Sequence, residues 1–500
     1  MKSHSVFWSF VWVVFVLDAV TAAAPTLKQQ LEQAGITAFF PGDPGYADAS
    51  ASYNQRFDYQ PAGIAYATST AQVSRALRAG VAHDLNVVAR SGGHSYIANG
   101  LGGRNGALVV DLSGMKGKTY DAATGTAVIQ TGNRIGDIAL FLNEYGRGMP
   151  HGRCAYVGIG GHSGHGGYGY MSRMWGLTLD VVLSATVVLS DGRIVTASNA
   201  SNADLYWAIR GASASFGIVT EIRVQTFQAP QENTFFEYVY SASPSDAARV
   251  MLSFQAYSYT DLPRAFAAEV VFFKVDAEQF TLVFFGAHYG PYSAFNRTIQ
   301  PFLDTVPVEP SQTVITRGDW LTVVNASAFG VGPLNVSSQP DTHDTFYAKS
   351  IMTPEETPLT PEAINATFAY MASNGVNSSS FQYDIEMEFW GGRGSAVNAV
   401  PFDATAFAHR DVHFTMQLYS DVADGAYPDE GLAFMDGLAA SIVDSMPADW
   451  GYSAYPNYID GRLQDWQRLY YGSHYPRLQA IKRKYDPHNV FRFPLSIEEQ

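Results

Sequence analysis

One cysteine in 500 residues excludes any disulfide within the chain. Secreted proteins commonly rely on such bridges, so Cys154 is either a buried structural thiol or a sulfur already occupied by some other partner. Positive charge is scarce as well. Lys and Arg number 31 against 46 Asp and Glu, a formal net charge of −15, and no basic block occurs. That balance argues against nucleic acid or an anionic membrane as partner, because phosphate contacts need clustered cations. Walker loop, H-E-x-x-H, internal repeat and low-complexity tract are all missing, and beyond the first residues no apolar run is long enough to span a bilayer. What is present, 47% hydrophobic and only 15% charged side chains, can bury a large core, rules out disorder for the bulk of the chain and suits two domains.

Met1 and Lys2 precede an apolar run over residues 6–17 and small residues ending in Ala22, Ala23 and Ala24. This layout predicts a secretory signal peptide over residues 1–24, cleaved near its end, and a soluble extracellular product. A membrane anchor is the competing reading, for which the run is too short. Sequons at Asn199, Asn296, Asn325, Asn335, Asn365 and Asn377 agree with secretion and mark candidate glycosylation sites.

After a polar lead, residues 57–228 read as a first domain of alternating strands and helices. A helix capped by Ser69 or Thr70 carries Val73, Leu77 and Val81, and a strand over 85–89 runs into the turn at Gly92 and Gly93. Strands follow at 107–112 and 127–130, a helix at 136–145, and a hairpin from strands 181–189 and 194–197. Residues 229–450 change texture to aromatic-rich strands at 235–240, 267–275, 279–288, 382–389 and 413–419, separated by amphipathic helical stretches. Residues 451–498 hold tyrosine-rich loops and a helix over 477–485. The class is α+β.

Three clusters carry candidate chemistry. Arg90, Ser91, Gly92, Gly93, His94, Ser95 and Tyr96 follow a strand, and paired glycines let backbone approach a bulky ligand and aim N–H groups at an anion. A tight turn without a ligand is an equal reading of that segment alone. Residues 152–169 contain eight glycines, an entropic cost that a fold tolerates where backbone must come close to something, for which a large planar cofactor is the candidate. They do not form a dinucleotide fingerprint, since Ser163 stands where Gly158 and Gly160 would need a glycine. His162 and His165 lack a third ligand, so no metal is expected. The third cluster pairs Tyr455 and Tyr458 with carboxylates elsewhere: Asp384, Glu386 and Glu388 alternate along a strand and project from one face. A phenol serves as a base only with a partner for its proton, and a carboxylate can be that partner; a solvated acidic face is the plainer account.

Together these residues resemble the berberine-bridge-enzyme-like branch of the vanillyl-alcohol-oxidase superfamily, and within it the secreted fungal oligosaccharide oxidases of the glucooligosaccharide oxidase type. The resemblance runs from about Tyr59 to Ile497. It rests on the Ser91 to Tyr96 segment, Cys154 with Gly158 to His162, Gly176 to Asp180, Asn202 to Gly211, Phe216 to Val219 and Lys484 to Pro487. It implies a PCMH-type FAD-binding domain, a substrate domain with a large antiparallel sheet covered by helices, and a C-terminal segment returning to the first domain. It implies FAD held by two covalent links, the 8α carbon to His94 and the 6 carbon to Cys154. Ser91, Gly92, Gly93, Ser95, Val157, Gly158, Gly161, His162, Gly167, Gly169, Ile218 and Val219 would complete the cofactor site, with Val157 at the position where valine admits oxygen.

The implied reaction has Tyr458 as base, Glu388 as its partner carboxylate and Tyr96 lining the sugar. The anomeric hydroxyl of an oligosaccharide would be oxidised to a lactone, with molecular oxygen reduced to hydrogen peroxide. Gln417 matches a substrate-facing amide. Departures from the pattern are Asp384 and Glu386, where the family tends to carry an aromatic platform and an amide, and Arg153 beside Cys154. These three are taken as substrate residues; carboxylates bind hydroxyls and would also suit an amino or acetamido sugar. The expectation is therefore a secreted, glycosylated, monomeric FAD oxidase of an oligosaccharide. Within the same fold the rival is an oxidase of a phenolic or other secondary metabolite; from another class, a sugar-binding protein without chemistry.

Overall fold

The computed structural model describes residues 24–499 apart from 277, 329–332 and 375–379. The expected signal peptide and Asn377 therefore lie outside the described residues, Ala24 excepted. Ser69 caps the helix Thr70–Ala82 by accepting the Gln72 N–H, and Val73, Ala76 and Leu77 recur at helical spacing on its buried face. That face packs on a four-stranded sheet ordered Thr37–Phe39, Gly63–Tyr66, Leu108–Asp111, Val87–Arg90. The last three strands are parallel, and the first pairs antiparallel at the edge. This sheet thus draws in residues upstream of 57, and Leu31 and Ile36 belong to its core.

A five-stranded antiparallel sheet follows, ordered Lys118–Asp121, Thr126–Gln130, Ile218–Gln225, Val182–Val188, Ile194–Ser198. It contains the expected hairpin, and the helix expected over 136–145 is Ile135–Asn143. Within the glycine-rich stretch read as loop, Ile159–His165 forms a short helix. Its glycines serve close packing: a Cβ on Gly164 would lie 2.7 Å from the Ser213 Cβ.

The third sheet has seven antiparallel strands, ordered Gln312–Gly318, Asn233–Ala242, Phe280–Tyr289, Phe266–Lys274, Gln382–Phe389, Val412–Val422, Thr345–Pro354. Alternation divides its residues between two faces. Phe236, Phe266, Phe284, Ile385, Met387, Met416 and Leu418 pack under the helices Pro244–Ser258, Tyr292–Leu303, Pro361–Asn374 and Asp429–Val443. The opposite face carries the carboxylates. Residues Glu388 and Thr415, Glu386 and Gln417, Asp384 and Tyr419 stand opposite each other across two strands, and Glu269 stands opposite Glu388 on the other side.

The C-terminal segment returns to the first two sheets. Lys482 and Asp486, one turn apart in and after the helix Tyr475–Tyr485, form a fully buried ion pair at 2.7 Å. Lys482 also donates to the carbonyls of Ser215 and Phe491, and Asp486 accepts the N–H groups of Val490 and Phe491. Two of the sequence segments that carry the family resemblance meet here: Asp204 accepts from Lys484 at 2.6 Å and from Tyr485 at 2.7 Å. Upstream, Ser453 and Met352 exchange backbone hydrogen bonds, and Lys349 and Tyr347 bind Asp460. The loop between, which holds Tyr455 and Tyr458, is thereby clamped over the polar face of the large sheet.

Candidate active site

A cavity of about 720 Å³ lies between the glycine loops of the first two sheets and the polar face of the third. The first loop turns at Gly93, whose φ of +84° disfavours any side chain, and delivers His94, Ser95 and Tyr96. Gly92 and Gly158 bring the two loops into backbone contact: a Cβ on Gly92 would lie 2.3 Å from the Gly158 nitrogen. Ser91 locks the contact by donating to the Thr131 carbonyl and accepting the Gly160 N–H. Cys154, the free thiol, is half-buried on the same wall, and burial raises its pKa.

The expected cofactor residues Ser91, Gly92, Gly93, His94, Ser95, Cys154, Val157, Gly158, Gly161, His162, Gly169, Ile218 and Val219 all line the cavity. Gly161 has nothing within 4 Å of its would-be Cβ, so the wall there is bare backbone facing open space. That bare wall, with an imidazole and a thiol on one cavity, fits a planar flavin. Gly167 does not line it. Its N–H is bound by the Tyr455 hydroxyl at 2.8 Å, and its φ of +91° marks a turn that shapes the loop. His162 and His165 are occupied by the chain itself: His162 Nε2 accepts the Gly152 N–H at 3.0 Å, and His165 Nδ1 contacts the Gly161 carbonyl at 3.1 Å. Burial pushes His162 down to a pKa of about 3, which keeps it neutral.

On the opposite wall Tyr458 donates its hydroxyl to Glu388 Oε1 at 2.9 Å, and the Trp390 indole N–H binds Oε2 at 2.9 Å. Burial first, then the neighbouring Glu386 carboxylate, raises the Glu388 pKa to about 8. The Tyr458 phenol is also pushed up, by burial and by Glu388. Tyr96 lies parallel to Tyr458, ring centres 5.9 Å apart, and accepts a hydrogen bond from Gln417 Nε2 at 2.6 Å. Tyr455 braces Tyr458 edge-on at 5.0 Å. Asp384, Glu386 and Gln417 reach the cavity from the same sheet face, and burial raises Asp384 to about 8.

Arg153 borders the cavity, but its guanidinium is taken up by Glu269 at 2.9 Å and by Glu386. It holds together a wall that three carboxylates would otherwise push apart. One oxygen each of Glu269, Glu386 and Glu388 falls within 4.8 Å of the others, a spacing a cation can use, and the arginine supplies a positive charge there.

Sequence reasoning missed Glu269, Tyr53, Arg134 and Asp341. His94 Nε2 meets Asp341 Oδ2 at 2.8 Å, Arg134 reaches the same oxygen at 3.1 Å, and the Tyr53 ring stacks on the imidazole at 4.0 Å. Glu269 had a signal available, an isolated acid inside an apolar strand. Asp341 sits in an irregular segment with no motif.

Comparison with known proteins finds family matches in two parts of the chain. The FAD binding domain family matches residues 61–198, and the family described as berberine and berberine like matches residues 454–498. A chitooligosaccharide oxidase from Gibberella zeae is 36% identical over 496 residues, covering 97% of this chain and 98% of that protein. A glucooligosaccharide oxidase from Sarocladium strictum is 35% identical over 455 residues, covering 89% of each. Among solved structures, a glucooligosaccharide oxidase from Acremonium strictum, described with a 6-S-cysteinyl, 8α-N1-histidyl FAD, superposes with a TM-score of 0.87. It is 33% identical, with 95% of this chain and 100% of that one covered.

Proposed function

The chain belongs to the berberine-bridge-enzyme-like FAD-linked oxidoreductases, and from that premise we propose that it oxidises the anomeric hydroxyl of an oligosaccharide to a lactone, with oxygen as electron acceptor. The observation that carries this reading is the Tyr458 to Glu388 hydrogen bond on a cavity whose other wall presents His94 and Cys154. Bound FAD supplies the hydride acceptor and the path of electrons to oxygen. His94 and Cys154, the imidazole and the thiol on one cavity wall, would hold it by covalent links. Tyr458 takes the proton of the sugar's C1 hydroxyl as it passes its own to Glu388; the two act as one proton acceptor, since a phenol of raised pKa is a poor base alone. Trp390, bound to the second oxygen of Glu388, keeps the carboxylate turned toward the tyrosine. Tyr96, Gln417, Asp384 and Glu386 orient the sugar by its hydroxyls. Val157 leaves room for oxygen.

The polar wall favours a polyhydroxy substrate over a phenol. The test is a peroxide assay over cello-, xylo-, malto- and chito-oligosaccharides beside a panel of phenols, with the product examined for an aldonic acid. Turnover of a sugar with equimolar peroxide is expected; turnover of a phenol with no sugar oxidised overturns the reading. The same reading makes the chain a secreted, glycosylated monomer. Its described sequons, at Asn199, Asn296, Asn325, Asn335 and Asn365, are all exposed.

A further inference from the structure

We infer that Asp341, held by Arg134, is the positioning residue that prepares His94 for its bond to the flavin: it binds the Nε2 proton and so leaves the Nδ1 lone pair free to attack the 8α carbon. This rests on the FAD reading above and goes beyond it, because it concerns how the link is made. A carboxylate only accepts hydrogen bonds, so at 2.8 Å from Asp341 Oδ2 the imidazole nitrogen Nε2 is the one that carries hydrogen. In a neutral ring the other nitrogen, Nδ1, is then unprotonated, and it has no hydrogen-bond partner among the described residues. Two further contacts hold the ring in one pose. Tyr53 stacks on it at 4.0 Å with planes 22° apart, and Arg134 binds the same Asp341 oxygen at 3.1 Å, which keeps the carboxylate from rotating away. The His94 side chain is 7% exposed and Asp341 16%, so the pair is shielded from competing water.

The carboxylate has a second task. Once Nδ1 is alkylated, an imidazole still bearing hydrogen on Nε2 is a cation, and Asp341 stands where it takes that proton. The balance closes with dioxygen as oxidant. His94 gives its Nδ1 lone pair to the new nitrogen to carbon bond and its Nε2 proton to Asp341, while the 8α methyl loses one proton to solvent. The two electrons released pass through the flavin to dioxygen, which takes up two protons as hydrogen peroxide.

The experiment uses full-length protein carrying Cys154→Ser, so that His94 is the only attachment point. Link formation is read as flavin fluorescence on a denaturing gel and as the mass of the His94 peptide, neither of which depends on turnover. Asp341→Asn is expected to bind FAD and melt as its parent does, yet to form the His94 link about tenfold more slowly or worse, the scale on which carboxylate partners of functional histidines act. In Asp341→Ala, added formate is expected to restore linkage, an effect that a purely structural aspartate would not show. Linkage in Asp341→Asn at the parent rate, or no response to formate in folded Asp341→Ala, overturns the proposal. Should neither variant fold, Arg134→Gln decides: it leaves the carboxylate but frees it to turn, and linkage at the parent rate there overturns the proposal too. A parent that binds no FAD at all would refute the cofactor reading instead, and the proposal with it.

Discussion

Glu388 accepts hydrogen bonds on both carboxylate oxygens and still has its pKa raised to about 8, because burial and the adjacent Glu386 outweigh the Tyr458 and Trp390 donors. Its pair with Tyr458 must lose one proton before it can accept another. The rate of flavin reduction should therefore rise with pH through about 8, and Glu388→Gln should remove that rise, as a stopped-flow pH series would reveal. Tyr458→Phe should lower flavin reduction by about 100-fold or more with the flavin still bound, the usual scale for a lost general base. These two residues were readable in the sequence, Glu388 from alternation along a strand and Tyr458 from family resemblance. Arg153 was legible as unusual but not as a bridge, because its role depends on Glu269, a residue that the chain brings opposite Glu388 only through strand register.

Among the elements, strand Gln382–Phe389 stands where alternation put it, while Gln312–Gly318 and Thr345–Pro354 went unread. The first is a half-exposed edge strand with little apolar signal, and the second is covered on both faces, so no period of two shows. The helix Ile159–His165 was illegible for a different reason. Glycine has poor helix propensity, and here the requirement of close packing against the Ser91 loop and Ser213 prevails. Gly92→Ala tests that packing: its Cβ would meet the Gly158 nitrogen at 2.3 Å, so the loops must part and the flavin-to-protein ratio, read from absorbance, should fall. At the C-terminal helix, Lys482→Ala leaves Asp486 as a buried charge without its cation. It should cost about 3–5 kcal/mol in denaturant unfolding, the range for one partner removed from a buried pair.

For the whole molecule, the absence of disulfides leaves burial and ion pairs to hold the three larger sheets around the cavity. The cavity's acids oppose that task at high pH. Asp384 rises from 3.8 to about 8, largely by burial, and Glu388 from 4.5 to about 8, so over that interval the folded chain keeps protons that the unfolded chain has released. Their contribution to stability is complete below the ordinary carboxylate range and is lost as pH rises through about 8. Calorimetry should show the melting temperature falling over that interval, and less steeply in Asp384→Asn. The α+β class and the large antiparallel sheet were legible, because texture and motifs change along the chain; the convergence of distant segments on His94 was not. His94 and Asp341 are 247 positions apart. During synthesis the histidine therefore leaves the ribosome long before the aspartate exists, and a flavin met in that interval would find a reactive nitrogen not yet selected. On the proposal above, fast attachment through His94 is expected to begin only once translation has passed Asp341 and its carboxylate has met the imidazole.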